Sequence, residues 1–180
     1  MSKAKEMFTQ KIIPDLEKNL NLKNKMAVPC LIKVVLNVGI GKNQENPKFK
    51  ESVSANLAAI TGQKPKVTRA KKAISGFKIR QNDEIGMVVT LRGGRMYDFT
   101  YKLANIVLPR MRDFRGLKKN GFDKNGNFTL AIREQTIFPE ISHEKSEILH
   151  GMSITFVSSA KNNNEGKLLL EALGFPFEKG

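Results

Sequence analysis

His143, His150, Cys30 and a scatter of carboxylates are the residues of this chain best suited to carry protons, hold metals or attack a substrate. Their spacing assembles no reaction. The two histidines stand seven residues apart, which matches no common zinc pattern. Cys30 opens an apolar run, where a buried, inert thiol is the ordinary outcome. As the lone cysteine it can form no internal disulfide, which fits a reducing compartment. Glu134, Glu140 and Glu144 have no nucleophile paired with them in the sequence. Asp123, Asn125, Asn127 and Glu134 match positions 1, 3, 5 and 12 of a calcium loop, but Phe128 occupies the sixth, where the sharp turn needs glycine. The segment reads more simply as a turn entering a strand. Gly39-Ile-Gly41 lacks the third glycine of a dinucleotide fingerprint, since Gln44 stands there, and Gly41-Lys42 lacks P-loop spacing. Asn127-Phe-Thr129 is a glycosylation sequon by chance. The expectation is a protein with no active site, no metal and no cofactor.

The cations carry the functional signal. Thirty-one Lys and Arg oppose 17 Asp and Glu among 180 residues, a formal charge of +14. Such an excess destabilises the compact state by self-repulsion unless a polyanion neutralises it, and nucleic acid is the commonest polyanion in cytosol. Gln63–Arg80 holds seven cations (Lys64, Lys66, Arg69, Lys71, Lys72, Lys78 and Arg80) and no acid. A solvated face normally mixes signs, so this run asks for a partner. Phe77, next to Gly76, either stacks on a base or ribose or is tucked into the core. A second basic stretch, Pro109–Lys119, sets Arg110, Arg112, Arg115, Lys118 and Lys119 against Asp113, which pairs with a neighbouring Arg on the simplest reading. Membrane binding would predict one Lys-rich amphipathic helix or a polybasic tail, whereas these charges lie in several internal segments. No apolar run approaches the ~20 residues of a membrane span, and the N-terminus lacks the apolar core of a secretory signal. A soluble cytosolic protein of one domain, residues 1–180, is expected.

Helix and strand patterns alternate irregularly, which predicts an α+β fold. Phe8, Ile12, Leu16 and Leu20 recur at helical spacing, with Pro14 kinking or dividing the helix. Asn46 and Pro47 start a second helix whose stripe is Phe49, Val53, Leu57 and Ile60, and Gly62 stops it. A third spans about Arg95 to Phe114, with Met96, Phe99, Leu103 and Ile106 inward and Pro109 bending or ending it. The last starts near Asn164, carries Leu168, Leu169 and Leu173, and stops at Gly174. Four strands alternate with period two: Leu31–Gly41, Ile85–Arg92, Asn127–Gln135 and Met152–Ser158. Ile32, Val34, Leu36, Val38 and Ile40 fall on the core face of the first, and Ile85, Met87, Val89 and Leu91 on that of the second. Helices should cover the apolar face. The other face would show Lys33, Asn37, Thr90, Arg92, Thr129 and Arg133, with glycines such as Gly39 where a ligand backbone could come close. Periodicity alone leaves open whether this is a binding surface or an ordinary wetted sheet face.

Asn37-Val-Gly-Ile-Gly, Gly62-Gln-Lys-Pro, Ala73-Ile-Ser-Gly-Phe-Lys-Ile-Arg, Val89-Thr-Leu-Arg-Gly and Pro109-Arg-Met-Arg-Asp-Phe-Arg-Gly-Leu resemble the large-subunit ribosomal protein family that binds 5S ribosomal RNA. Arg133-Glu-Gln-Thr-Ile-Phe-Pro-Glu-Ile and the closing Leu173-Gly-Phe-Pro-Phe extend the resemblance over nearly the whole chain, closest to the bacterial form. It implies an antiparallel sheet with helices packed on one face and the other open to RNA, in the central protuberance of the large subunit. The residues it implies for ribosomal RNA are Lys33, Asn37, Gly39, Gln63, Lys64, Thr68, Thr90 and Arg92. Gly76, Phe77, Lys78, Ile79 and Arg80 resemble the loop that approaches P-site transfer RNA. Arg110, Arg112 and Arg115 resemble a surface facing a small-subunit protein across the intersubunit bridge. The implied partners are 5S rRNA, 23S rRNA, P-site tRNA, neighbouring large-subunit proteins and that small-subunit protein, with no membrane. Ala131 departs from relatives that often have glycine. The competing classes are an RNA-processing enzyme, which needs a carboxylate cluster or activated nucleophile that the sequence lacks, and a general nucleic-acid binder or DNA-compacting protein, which would not distinguish structured RNA from duplex DNA.

Overall fold

The computed structural model describes residues 3–22, 24–41, 46–112, 114–141 and 148–178. The chain clusters into two compact units, one of Met1–Val34, Leu91–Leu130 and Thr155–Gly180, the other of Val35–Thr90 and Ala131–Ile154. Five strands, β1 (Leu31–Gly39), β2 (Lys66–Arg69), β3 (Glu84–Leu91), β4 (Phe128–Ile132) and β5 (Met152–Ser158), form one antiparallel sheet in the order β2-β3-β1-β5-β4. All but β2 carry residues of both units. The fold is α+β, as the patterning predicts.

Alternation fixes which side of each strand is buried. In the second unit Leu36, Val38, Met87 and Val89 are buried, each contributing roughly 1.5–3 kcal/mol by leaving water. Asn37 and Gly39, one residue out of phase, are exposed. The period slips where β1 begins: Leu31 is buried and Ile32 is half exposed, contrary to the expected inward place of Ile32. Leu31 follows Cys30, whose backbone N–H and C=O are both bonded to Ser159, so the entry to the strand is set by that tie and not by sheet alternation.

Helix α3 (Pro47–Thr61) forms as its sequence predicts. Asn46 Oδ1 accepts the Phe49 N–H at 3.4 Å, Pro47 sits in the first turn, and Gly62 closes the end at φ 65°. Phe49, Val53, Leu57 and Ile60 are all buried. The cap is worth about 1 kcal/mol. Helix α6 (Asn163–Ala172) starts at Asn162, which bonds Glu165 in both directions: Asn162 Oδ1 accepts the Glu165 N–H at 2.9 Å, and Asn162 Nδ2 donates to Glu165 Oε1 at 3.3 Å. Its inward stripe is Gly166, Leu169 and Leu170. Leu168 and Leu173, expected inside, are half-buried, and Leu170 takes the inward place at the i+4 position from Gly166.

Two prolines are absorbed in the same way, both in the first unit. α1 (Lys3–Met7) and α2 (Ile13–Asn19) are joined by a π turn at Phe8–Ile12, where Ile13 N–H donates to Phe8 C=O. α4 (Gly93–Lys102) and α5 (Leu108–Arg110) are joined by a second at Leu103–Val107, where Leu108 N–H donates to Leu103 C=O. Each π turn ends two residues before a proline, Pro14 or Pro109. Proline lacks an N–H and its ring crowds the carbonyl four residues back. Inserting one residue into the turn relieves that crowding without ending the helix. The inserted residue also rotates everything after it by about 100°, one helical step. Val107 is therefore fully buried and Ile106, placed inward by uniform spacing, is 44% exposed. The helix ends at Arg110, short of Phe114.

Candidate nucleic-acid interface

The acid-free basic run folds as an edge strand and a hairpin extension. β2 pairs antiparallel with β3, Lys66 opposite Val88, Val67 opposite Met87, Thr68 opposite Gly86 and Arg69 opposite Glu84, with a register shift between Thr68 and Arg69. Beyond it, Ala70 N–H donates to Asp83 C=O at 2.9 Å, and Asn82 N–H donates to Ala70 C=O at the same distance. Ile74 and Ile79 exchange both backbone bonds, at 2.9 and 3.2 Å, and close a tip in which Lys78 takes φ 54°. Residues 71–78 are all exposed. Phe77 is 75% exposed, which excludes the core-filling reading of that ring. Gly76, Lys78, Ile79 and Arg80 complete the tip, with Ile79 half-buried and Arg80 held by its N–H donating to Asp83 Oδ2 at 2.7 Å.

On the polar side of the sheet, β1, β2 and β3 meet at Gly86. A Cβ there would lie 2.8 Å from Thr68 Oγ1, 3.0 Å from Val38 O and 3.6 Å from Asn37 Oδ1. With no side chain at Gly86, the Thr68 hydroxyl and the Asn37 side-chain oxygen both border the space that a Cβ would fill. Gln63, just past α3, donates from Nε2 to Thr90 C=O at 3.5 Å, which ties a second pair. Thr68 and Thr90 are half-buried, and Asn37, Gly39 and Lys64 exposed. Six of the eight residues expected to meet ribosomal RNA thus lie in the second unit, along with the hairpin tip. Lys33 (half-buried) and Arg92 (exposed, extended, one residue past β3) belong to the first, as do Arg110, Arg112 and Arg115, all three exposed. Asp113, their expected ion-pair partner, lies outside the described residues, as do Lys42, Gln44, His143 and Glu144. Within the second unit Ser153 Oγ also donates to Asn37 C=O at 3.4 Å, and within the first Thr129 Oγ1 is 3.1 Å from Thr155 Oγ1.

Sequence reasoning missed the acid that ends this run. No Asp or Glu occurs between Glu51 and Asp83. Asp83 is used by the hairpin, whereas Glu84 reaches two cations: Oε2 is 2.8 Å from Lys50 Nζ, and Oε1 is 3.7 Å from Arg69 Nη2. The hydrogen bond from Lys50 and its charge hold the Glu84 carboxyl below the usual carboxylate range; burial opposes them, and the charge of Arg69 adds the smallest contribution. Only the return of acids, Asp83-Glu84, after a long cationic stretch could have pointed to it.

Asp123 and His150, weighed for metal or proton chemistry, have structural uses. Asp123 accepts N–H bonds from Asn125 and Asn127 on Oδ1 at 2.9 and 2.8 Å and one from Asn127 Nδ2 at 2.7 Å, which lowers its pKa. That is the turn before β4. β4 stops at Ile132, leaving exposed Arg133 beyond it, and a short 3₁₀ turn follows at Gln135–Ile137. His150 is buried beside fully buried Gln135, whose Oε1 accepts the His150 N–H at 2.7 Å, and its Nε2 is 3.3 Å from Asn56 Nδ2. Among the described residues no cluster of His, Cys, Asp and Glu could hold a metal ion, and no helix is long and apolar enough to cross a membrane.

Comparison with known proteins agrees with the resemblance along the whole chain. The family model described as "Ribosomal protein L5" matches residues 24–80, and the companion model for the C-terminus of the same ribosomal family matches residues 84–177. Proteins named large ribosomal subunit protein uL5 align nearly end to end. That of Carboxydothermus hydrogenoformans is 48% identical over 179 residues, covering 99% of this chain and 100% of its own. That of Caldanaerobacter subterraneus subsp. tengcongensis is 51% identical with the same coverage. A Thermotoga relative is 51% identical over 176 residues, 98% of this chain and 96% of its own.

Proposed function

The chain belongs to the uL5 family of large-ribosomal-subunit proteins, and from that premise we propose that it binds 5S ribosomal RNA with the polar side of its sheet and the adjoining basic hairpin. Family membership makes it a structural, non-enzymatic, rRNA-binding constituent of the large subunit, located in the cytoplasmic ribosome. The observation that carries the finer reading is the meeting of Asn37, Thr68 and Gly86 beside an edge strand and hairpin whose cations run unbroken by any acid from Lys64 to Arg80.

In this reading the whole chain, residues 1–180, acts as one binding domain. Lys33, Lys64 and Arg92 neutralise phosphates. Asn37, Gln63, Thr68 and Thr90 set the register by hydrogen bonds, and exposed Gly39 lets the RNA backbone approach. The exposed Phe77 presents its ring with Gly76, Lys78, Ile79 and Arg80 to P-site transfer RNA in the central protuberance. Arg110, Arg112 and Arg115 face a small-subunit protein across the intersubunit bridge, and 23S rRNA and neighbouring large-subunit proteins complete the surroundings.

Titration of bacterial 5S RNA with Arg92→Ala and Thr90→Val tests it. Arg92→Ala should lower the slope of log affinity against log salt by about 0.7–0.9, one phosphate contact. Thr90→Val should weaken binding about two- to tenfold, one hydrogen bond. Unchanged affinity for both variants at moderate salt refutes the sheet-face assignment. Equal competition by duplex DNA would favour a general nucleic-acid binder instead.

A further inference from the structure

Arg69 is the last residue of the edge strand β2, and a register shift separates it from Thr68. A bulge of this kind bends the strand and re-aims the side chain that follows. The side chain of Arg69 is 63% exposed, yet its Nη2 lies 3.7 Å from Glu84 Oε1. Glu84 is itself anchored from α3 by the 2.8 Å bond to Lys50 Nζ, with both side chains only about a third exposed. One carboxylate thus tethers an exposed cation to a half-buried one at the border of the acid-free run. A guanidinium has five donors and one carboxylate oxygen occupies few of them, which leaves an outward fork matched to a phosphate.

We infer that Glu84 is a positioning residue for RNA binding, holding Arg69, and Lys50 behind it, so that the Arg69 guanidinium meets a backbone phosphate of the bound RNA. This rests on the reading that the β1–β3 region binds 5S RNA and names a contact that reading does not require. An acid beside an RNA surface otherwise opposes binding, because it repels phosphate. Positioning and repulsion therefore predict opposite signs for the same substitution.

The test is a double-mutant cycle in the full chain, with Glu84→Gln, Arg69→Ala and both together, titrated with bacterial 5S RNA across a range of salt. Glu84→Gln should weaken binding about tenfold, the scale of one charge-assisted hydrogen bond, and lower the salt slope by about 0.7–0.9. In the Arg69→Ala background it should weaken binding no further and lower the salt slope no further. Glu84→Asp, which keeps the charge, should restore part of the loss. Thermal melting of each variant separates a folding defect from a binding one, since a merely structural ion pair alters the melt and leaves the salt slope alone. Tighter or unchanged binding by Glu84→Gln overturns the inference, and if Arg92→Ala still weakens binding the parent reading survives. Failure of the unsubstituted chain to bind 5S RNA overturns both.

Discussion

Gly86→Ala adds one methyl group at the point where β1, β2 and β3 present their polar side. Gly86 does not have a left-handed backbone, so alanine meets no conformational penalty and the cost is steric. The new Cβ would stand 2.8 Å from Thr68 Oγ1 and 3.0 Å from Val38 O. Thr68 can rotate its hydroxyl away at some cost, being β-branched, but Val38 O is part of a central strand and must be displaced with it. Overpacking of this kind costs typically 1–3 kcal/mol. Taking about 2 kcal/mol, and about 2–4 °C per kcal/mol for a chain of this size, the melting temperature should fall by about 4–8 °C. Affinity for 5S RNA should drop about fivefold to tenfold, because the Thr68 hydroxyl leaves its place and one hydrogen bond is worth about 1 kcal/mol. Gly174→Ala is the control. At φ 92° it is strained by conformation alone, and its Cβ meets only Ala104 Cβ at 4.0 Å, so stability should fall by about 1–2 kcal/mol with RNA affinity unchanged. Calorimetry and an RNA titration on the same two preparations decide the matter. If Gly86→Ala melts within about a degree of the unsubstituted chain and binds RNA equally well, the three-strand cradle has no role.

The π turn before Pro109 assigns Val107 to the core and Ile106 to solvent, so Val107→Ala should cost about 2 kcal/mol and Ile106→Ala less than about 0.5 in denaturant unfolding; the reverse order would show an unbroken α-helical phase. Burial holds the His150 imidazole below its ordinary 6.5, so on acidification the unfolded chain takes up a proton before the folded one, and stability present above that value is lost as pH falls through it. His150→Gln should accordingly flatten the fall in melting temperature between about pH 7 and about pH 5, and an identical decline in both proteins would exclude His150 as its source.

Elements governed by local rules were legible from the residues. Asn46, Pro47 and Gly62 bound α3 because cap and stop act within one turn, and the Val34–Ile40 alternation survives because every second residue must be buried. Where a longer-range constraint intrudes, pattern fails. Uniform helical spacing placed Ile106 inward because nothing in a residue count announces the extra residue that Pro109 forces. β2 was hidden inside a basic run, since Lys66-Val67-Thr68-Arg69 offers one apolar side chain and takes its strand form from pairing with β3. The polar sheet face was readable as a face, but its focus at Gly86 depends on which strands are neighbours. Glu84 reads as an ordinary surface acid until the fold brings Lys50 to it from 34 residues away.

β2 lies at one margin of the sheet, and the outward backbone groups of such a strand can be matched by any other extended chain. Here that margin is lined by Lys66 and Arg69, with Lys71 and Lys72 just beyond. Two copies approaching margin to margin would bring like charges within a few ångströms, inside the roughly 8 Å over which physiological salt leaves repulsion unscreened. That repulsion opposes edge-to-edge pairing of two copies, and under the proposed reading the same lysines and arginines would serve solubility before assembly and adhesion after it.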